Sequence, residues 1–156
     1  MDNWYQNGTQ VVFACGGGIY TSAAEAAKKV GGKVIGVDVD QAATIDGIYG
    51  EGMTITSAMK GLYPTTVDTL KAVIIDGKWD SYKGKIDNLG LVSEDVEKNY
   101  VQIPTASTKF EDGKFTLADY TALVKAMFDG SVKVSNDISK LPDVTNTTLT
   151  DLGNLK

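Results

Sequence analysis

Apolar and polar positions along this chain follow two periods, and the change from one to the other marks out its elements. Thr9 to Ala14 (TQVVFA) is a short run of β-forming apolar residues, the pattern of a strand buried on both faces. Three glycines, Gly16 to Gly18, follow it. Ser22-Ala-Ala-Glu25 then has the spacing of a capping box, and the pattern predicts a helix to about Val30. Lys28 and Lys29 lie against its negative end, and Gly31 suits a left-handed stop. Lys33 to Val37 (KVIGV) predicts a second buried strand. Strand, turn, helix and strand in this order is the pattern of a parallel sheet with a right-handed crossover.

Further along, Met53 to Thr56 (MTIT) predicts a third strand. A helix over about 60–76 presents Val67, Leu70, Val73 and Ile74 on one side, with Pro64 tolerated in its first turn. KIDNLGLV (85–92) alternates as a strand does, and NYVQI (99–103) predicts another. Thr116-Leu-Ala-Asp119 opens a last helix with an apolar stripe of Leu117, Tyr120, Leu123, Val124, Met127 and Phe128, closed by Gly130. SVKVS (131–135) predicts a short strand, and 136–156 reads as a polar tail behind a ligand-binding unit over 1–135. At the other end, Asp2 to Gly8 reads as the last turns of a helix, with Trp4 and Tyr5 as its buried contacts. A β/α chain that opens on half a unit is expected to be a fragment, incomplete at its N-terminus, or to be completed by a partner chain. The fold class expected is α/β, a Rossmann-like parallel sheet with flanking helices.

Composition narrows the function. At 156 residues the chain fits one domain. A net charge of -5 with no run of Lys or Arg argues against nucleic acid and against an anionic membrane surface, since both need a concentrated basic face. A neutral or cationic small molecule fits better. The sequence has no histidine, which removes the commonest general base and the usual nucleophile-base triads, and its single cysteine, Cys15, allows neither a disulfide within the chain nor a cysteine metal cluster. No enzyme activity, cofactor or metal is expected. No apolar run reaches the length of a membrane span.

The candidate chemistry sits behind the first two strands. A loop that leaves the C-terminal end of a parallel strand and enters a helix is where open α/β sheets bind ligands, because free N–H groups converge there. Gly16 to Gly18 occupy that place, either letting a ligand lie against the backbone or simply turning the chain. GVDVDQ (36–41) ends the next strand with Asp38 and Asp40, which project to one side if the chain stays extended. A carboxylate there suits paired sugar hydroxyls, or else caps the turn. Asp38, Asp40 and Asp46 lack the glycine and terminal glutamate of a calcium loop. Lys60, read at a helix start where a cation opposes the dipole, either pairs with Asp38 or is solvated. Phe13 stacks on a planar ring or fills the core.

Together, VVFACGGG, VIGVDVDQ and TITSAMKG resemble the basic membrane protein family of substrate-binding lipoproteins, the purine nucleoside receptor type that serves ABC transporters. LVKAMFDGSVKVSND resembles that family's closing helix and strand, so the resemblance covers about residues 8–136. Members have a two-lobed periplasmic binding protein fold of type I, and the resemblance implies most of the second lobe, without the first lobe or the opening strand. It implies that Phe13 stacks on a nucleobase, that Gly16 or Gly17 offers a backbone contact to the ribose, and that Asp38 takes ribose hydroxyls with Lys60 as its cationic companion. The family usually shows Ala-Gly-Gly-Thr-Gly where this chain has Cys15-Gly16-Gly17-Gly18-Ile19, so the threonine is missing.

The implied function is the substrate-binding component of an ABC importer. It would close on a nucleoside or related sugar-containing solute and hand it to an ABC permease, as an extracytoplasmic lipoprotein in full-length form. The alternative is a nucleotide- or sugar-utilising α/β enzyme domain with Asp38 or Asp40 as base. An incomplete parallel sheet exposes apolar surface, so the fragment is expected to self-associate.

Overall fold

The computed structural model describes residues 1–153, so the last three residues of the tail anticipated over 136–156 lie outside the described part. Three strands, β1 (Val11–Phe13), β2 (Lys33–Asp38) and β3 (Thr54–Lys60), run parallel and lie side by side in chain order. A short β4 (Val101–Gln102) closes the sheet antiparallel to β3, pairing Met59 with Gln102. The fold is α/β, a mostly parallel Rossmann-like sheet with flanking helices.

One face of the sheet carries the core. Helices α1 (Asp2–Gln6), α2 (Tyr20–Lys28) and α3 (Ala42–Tyr49) pack there, α2 on β2 and α3 on β3. Ala23, Ala24, Ala26 and Ala27 of α2 are buried against Val12, Ala14 and Val34, joined by Ile45 and Met53. Four small side chains let the helix axis approach the strands closely, so dispersion contacts are dense. Tyr5 of α1 completes this layer. Its ring lies over Gly32 and its hydroxyl donates to the Lys33 carbonyl at 2.6 Å, and Lys29 ties α2 to Asp2 at 2.8 Å. On the other face lies α6 (Leu117–Phe128), which buries Tyr120 and Val124. Its predicted capping box is present: the Asp119 N–H donates to Thr116 Oγ1 at 3.2 Å, and the Thr116 N–H donates to Asp119 Oδ2 at 2.8 Å.

Several expectations are corrected. The second helix starts at Tyr20, not Ser22, and Ser22 makes no cap, because a 3-10 turn over Gly17–Ile19 runs straight into it and places Ser22 and Glu25 inside the helix. β3 extends to Lys60, so Lys60 ends a strand and does not start a helix. The helix that follows, α4 (Leu62–Leu70), passes into a π-helical turn over Lys71–Ile75, and α5 (Trp79–Tyr82) is a single turn. Its apolar side is not covered: Val67, Leu70 and Ile74 are exposed, as is Trp4 of α1. Neither 85–92 nor 131–135 forms a strand, since neither meets a strand to pair with, and Ile86 and Val134 point to solvent. Buried Asn99 organises the former instead. Its Oδ1 accepts from the N–H groups of Val92 and Ser93, and its Nδ2 donates to the carbonyls of Ser93 and Asp95. α3 was not visible in the sequence pattern, because it is short and has no side-chain cap.

Candidate functional site

Parallel pairing brings the C-terminal ends of β1, β2 and β3 to one rim of the sheet. At the tip of β2 the backbone of Asp38 turns into the left-handed region, with φ +72°, so the extended run that would place Asp38 and Asp40 on one side is broken there. Asp38 is the one non-glycine residue with positive φ among the described residues. Aspartate tolerates this region better than most side chains, yet the conformation still stores energy that the surroundings must hold.

The turn directs Asp38 towards the end of β3, where Lys60 Nζ meets its Oδ1 at 2.6 Å. The pair is half open to water, with side-chain exposures of 35% for Asp38 and 66% for Lys60. The hydrogen bond that Lys60 donates to Asp38, and then the charge of that carboxylate, hold the Lys60 ammonium pKa above its ordinary value, against a smaller opposing effect of burial. Solvent screening keeps such a pair modest as a source of stability.

Phe13, Asp38 and Lys60 line the same open concavity of about 400 Å³. Val37, Ala58 and Met59 form its floor, and Tyr120, Leu123 and Met127 of α6 form its far wall. Phe13 is 48% exposed, so it does not fill the core. Cys15, which sequence reasoning set aside, lies in the same lining and is free and exposed. An apolar trough with one charged pair at its edge can take a flat ring against the sheet while hydroxyls reach the carboxylate. A somewhat larger concavity of about 460 Å³ opens at the opposite ends of the strands, around Tyr5, Val11 and Lys33. Its lining includes Thr9, Gln10 and Lys33 but no carboxylate, so no acidic group stands there to accept paired hydroxyls.

Gly16 and Gly17 lie outside the trough but on the same rim. The Gly16 N–H donates to Ala14 O at 2.8 Å, bending the chain away from β2, and the Gly16 carbonyl accepts from Ile19 N–H at 2.8 Å. A Cβ on Gly16 would stand 2.6 Å from Ile19 Cδ1, the tip of an exposed side chain that would have to swing aside. A Cβ on Gly17 or Gly18 would meet nothing within 4 Å, and neither residue has a positive φ. The internal packing of the chain therefore makes no demand for glycine at those two positions.

The remaining carboxylates have structural partners. Asp40 Oδ1 accepts from Ala42 N–H at 3.1 Å and Oδ2 from Ser107 Oγ at 2.8 Å, which anchors the start of α3. Asp46 accepts from Gly52 N–H and Thr54 N–H at 2.9 and 2.8 Å and fixes the turn into β3. Asp40 is thus a poor candidate for a free base. Among the described residues no group of three or more acidic, histidine or cysteine side chains is placed to hold a metal ion. Among them, too, no helix is long and apolar enough to cross a membrane.

No family model matches the chain. It is similar to Basic membrane protein D of Borreliella burgdorferi (strain JD1), with 34% identity over 115 residues, or 69% of this chain. That alignment takes in 32% of the relative, so the chain spans about a third of the length of the curated protein it matches. The similarity supports a relationship to the basic membrane proteins.

Proposed function

We propose that the chain is a solute-binding lobe of the basic membrane protein type, and that it grips a nucleoside, or a related solute carrying a sugar, at the C-terminal rim of its sheet. Phe13 stacks on the base. Asp38 accepts two ribose hydroxyls, Lys60 holds the carboxylate in place and donates to the solute, and the backbone at Gly16 or Gly17 lies against the sugar. In this reading the rim binds and releases without chemistry. Residues 1–135 make up the lobe and 136–156 a tail; a second lobe supplies the opposing wall, and an ABC permease receives the solute outside the cytoplasm. By itself the lobe self-associates through its uncovered apolar surfaces.

One observation carries this reading: an exposed aromatic ring and a 2.6 Å carboxylate-ammonium pair line one trough at the tips of adjacent parallel strands. Asp40, which the enzyme reading needs as a free alternative base, has both oxygens engaged. The test is a titration of the chain with adenosine and with free ribose, followed through the amide resonances of the rim. Adenosine shifting Phe13, Asp38 and Lys60 more strongly than ribose does supports the proposal. Equal, non-saturating responses, or conversion of adenosine to a product, would overturn it.

A further inference from the structure

β1 and β2 part company just after Phe13, and the residue standing in the fork is Gln41. Along the shared ladder the N–H of Lys33 donates to β1, at Gln10 O. Backbone alternation turns the N–H of Val37 to the same side. There β1 has already bent away, its Ala14 carbonyl accepting from Gly16 N–H. The amide side chain of Gln41 takes the vacant place, its Oε1 accepting from the Val37 N–H at 2.9 Å. A strand N–H left without an acceptor would be costly, so the side chain stands in for the missing rung.

The same residue holds the other two tips. Its backbone N–H donates to the Oγ of fully buried Ser57 on β3 at 3.1 Å. With Oε1 committed to Val37, Nε2 is turned to the glycine loop and lies 3.5 Å from Gly17 O, at the outer limit of a hydrogen bond. Packing fixes it further. A Cβ on Gly36 would fall 2.5 Å from Ser57 Oγ and 3.0 Å from both Cβ and Oε1 of Gln41, so β2 needs a glycine there to admit this side chain.

We infer that Gln41 is a positioning residue for the rim: it sets the distance between the glycine loop and Asp38, and through that distance the affinity for a solute that touches both. The inference deepens the binding reading proposed above and rests on it. The role falls to Gln41 because its amide can accept at one end and donate at the other; a carboxylate in its place accepts only.

The discriminating variant is therefore Gln41→Glu, which keeps an acceptor for Val37 and removes the donor aimed at Gly17. In the full 156-residue chain, the thermal midpoint should stay close to that of the parent. The amide resonances of Gly17, Gly18 and Ile19 should shift and their order parameters fall. Adenosine affinity should drop about fivefold, the scale of one net hydrogen bond. Gly36→Ala, whose methyl crowds both Ser57 Oγ and the Gln41 side chain without altering Gln41 itself, should reproduce the loop signature. Unchanged loop resonances in both variants would overturn the inference, as would a loosened loop with undiminished adenosine affinity. Should adenosine leave the parent's rim resonances unmoved, the binding reading fails, while the loop resonances still decide whether Gln41 clamps the fork.

Discussion

Asp38 and Lys60 are joined at 2.6 Å across the tips of β2 and β3, and Asp38 reaches that partner from a backbone with φ +72°. A strained residue kept at a solvent-facing rim points to use outside the fold. Asp38→Gly should therefore leave stability unchanged or raise it by up to about 1 kcal/mol, because glycine enters this region freely. It should at the same time weaken adenosine binding by tenfold or more, the loss of a charged acceptor. Urea denaturation and rim titration on the same sample check both halves. A variant that is less stable and binds normally would show that Asp38 serves the fold alone.

The pair also predicts a pH response of definite sign. Lys60 is held above its ordinary value of 10.5, chiefly by its hydrogen bond to Asp38 and then by the carboxylate's charge. What the pair adds to stability is thus fully present below 10.5 and is lost as pH rises through the higher folded value. At neutral pH Lys60 is fully charged and its contribution is intact. NMR titration of Lys60 Cε should give a midpoint above 10.5 that falls back towards that figure in Asp38→Asn. A midpoint that ignores the substitution would mean that the pair does not persist in solution.

How much of this was legible beforehand depends on how local each cause is. The β1-α2-β2 unit was readable because buried strands and an alanine-rich helix each write their own period into the sequence, and the Thr116 box because its partners are three residues apart. Boundaries failed where a neighbour decides them. β3 runs on to Lys60 because β2 and β4 lie alongside to pair with it, whereas 85–92 alternates just as well and finds no strand. Phe13 and Asp38 were legible as site candidates from their places at strand ends, whereas Lys60 was singled out from a helix start that is in fact the end of β3. Gln41 was not, since its partners Gly17 and Ser57 are distant in sequence and come together only when the sheet forms. The one available signal was its place at the head of the chain segment leaving β2.

Tyr5 and Gly32 give a test of the core independent of any ligand. A Cβ on Gly32 would stand 2.5 Å from a ring carbon of Tyr5, whose hydroxyl bonds Lys33 O. Gly32→Ala should cost about 1–3 kcal/mol through overpacking. Tyr5→Phe should cost about 1 kcal/mol through the lost hydrogen bond. In a Tyr5→Ala background the added methyl has nothing to strike, so Gly32→Ala should then cost well under its single-mutant value. Urea midpoints of the four proteins close this cycle. Additive costs would place the Tyr5 ring away from Gly32.

The uncovered side of α4 and its π-helical extension carries the last prediction. Leu70, Ile74 and Ile75 are 52%, 72% and 77% exposed, and Val67 and Leu62 add to the same helix. Contiguous aliphatic surface of this kind on a small chain drives association, since each side chain withdrawn from water contributes about 1.5–3 kcal/mol when fully buried. Light scattering across a concentration series should therefore show the apparent mass rising above 16.6 kDa. Leu70→Glu with Ile74→Lys should hold the chain at that mass, because a buried charge at a shared apolar interface is strongly disfavoured. The unfolding midpoint should barely change, as neither side chain is buried within the monomer. A parent chain that stays monomeric at every concentration would show that this surface does not pair copies of the chain, and that its exposed aliphatic groups are simply borne by the fold.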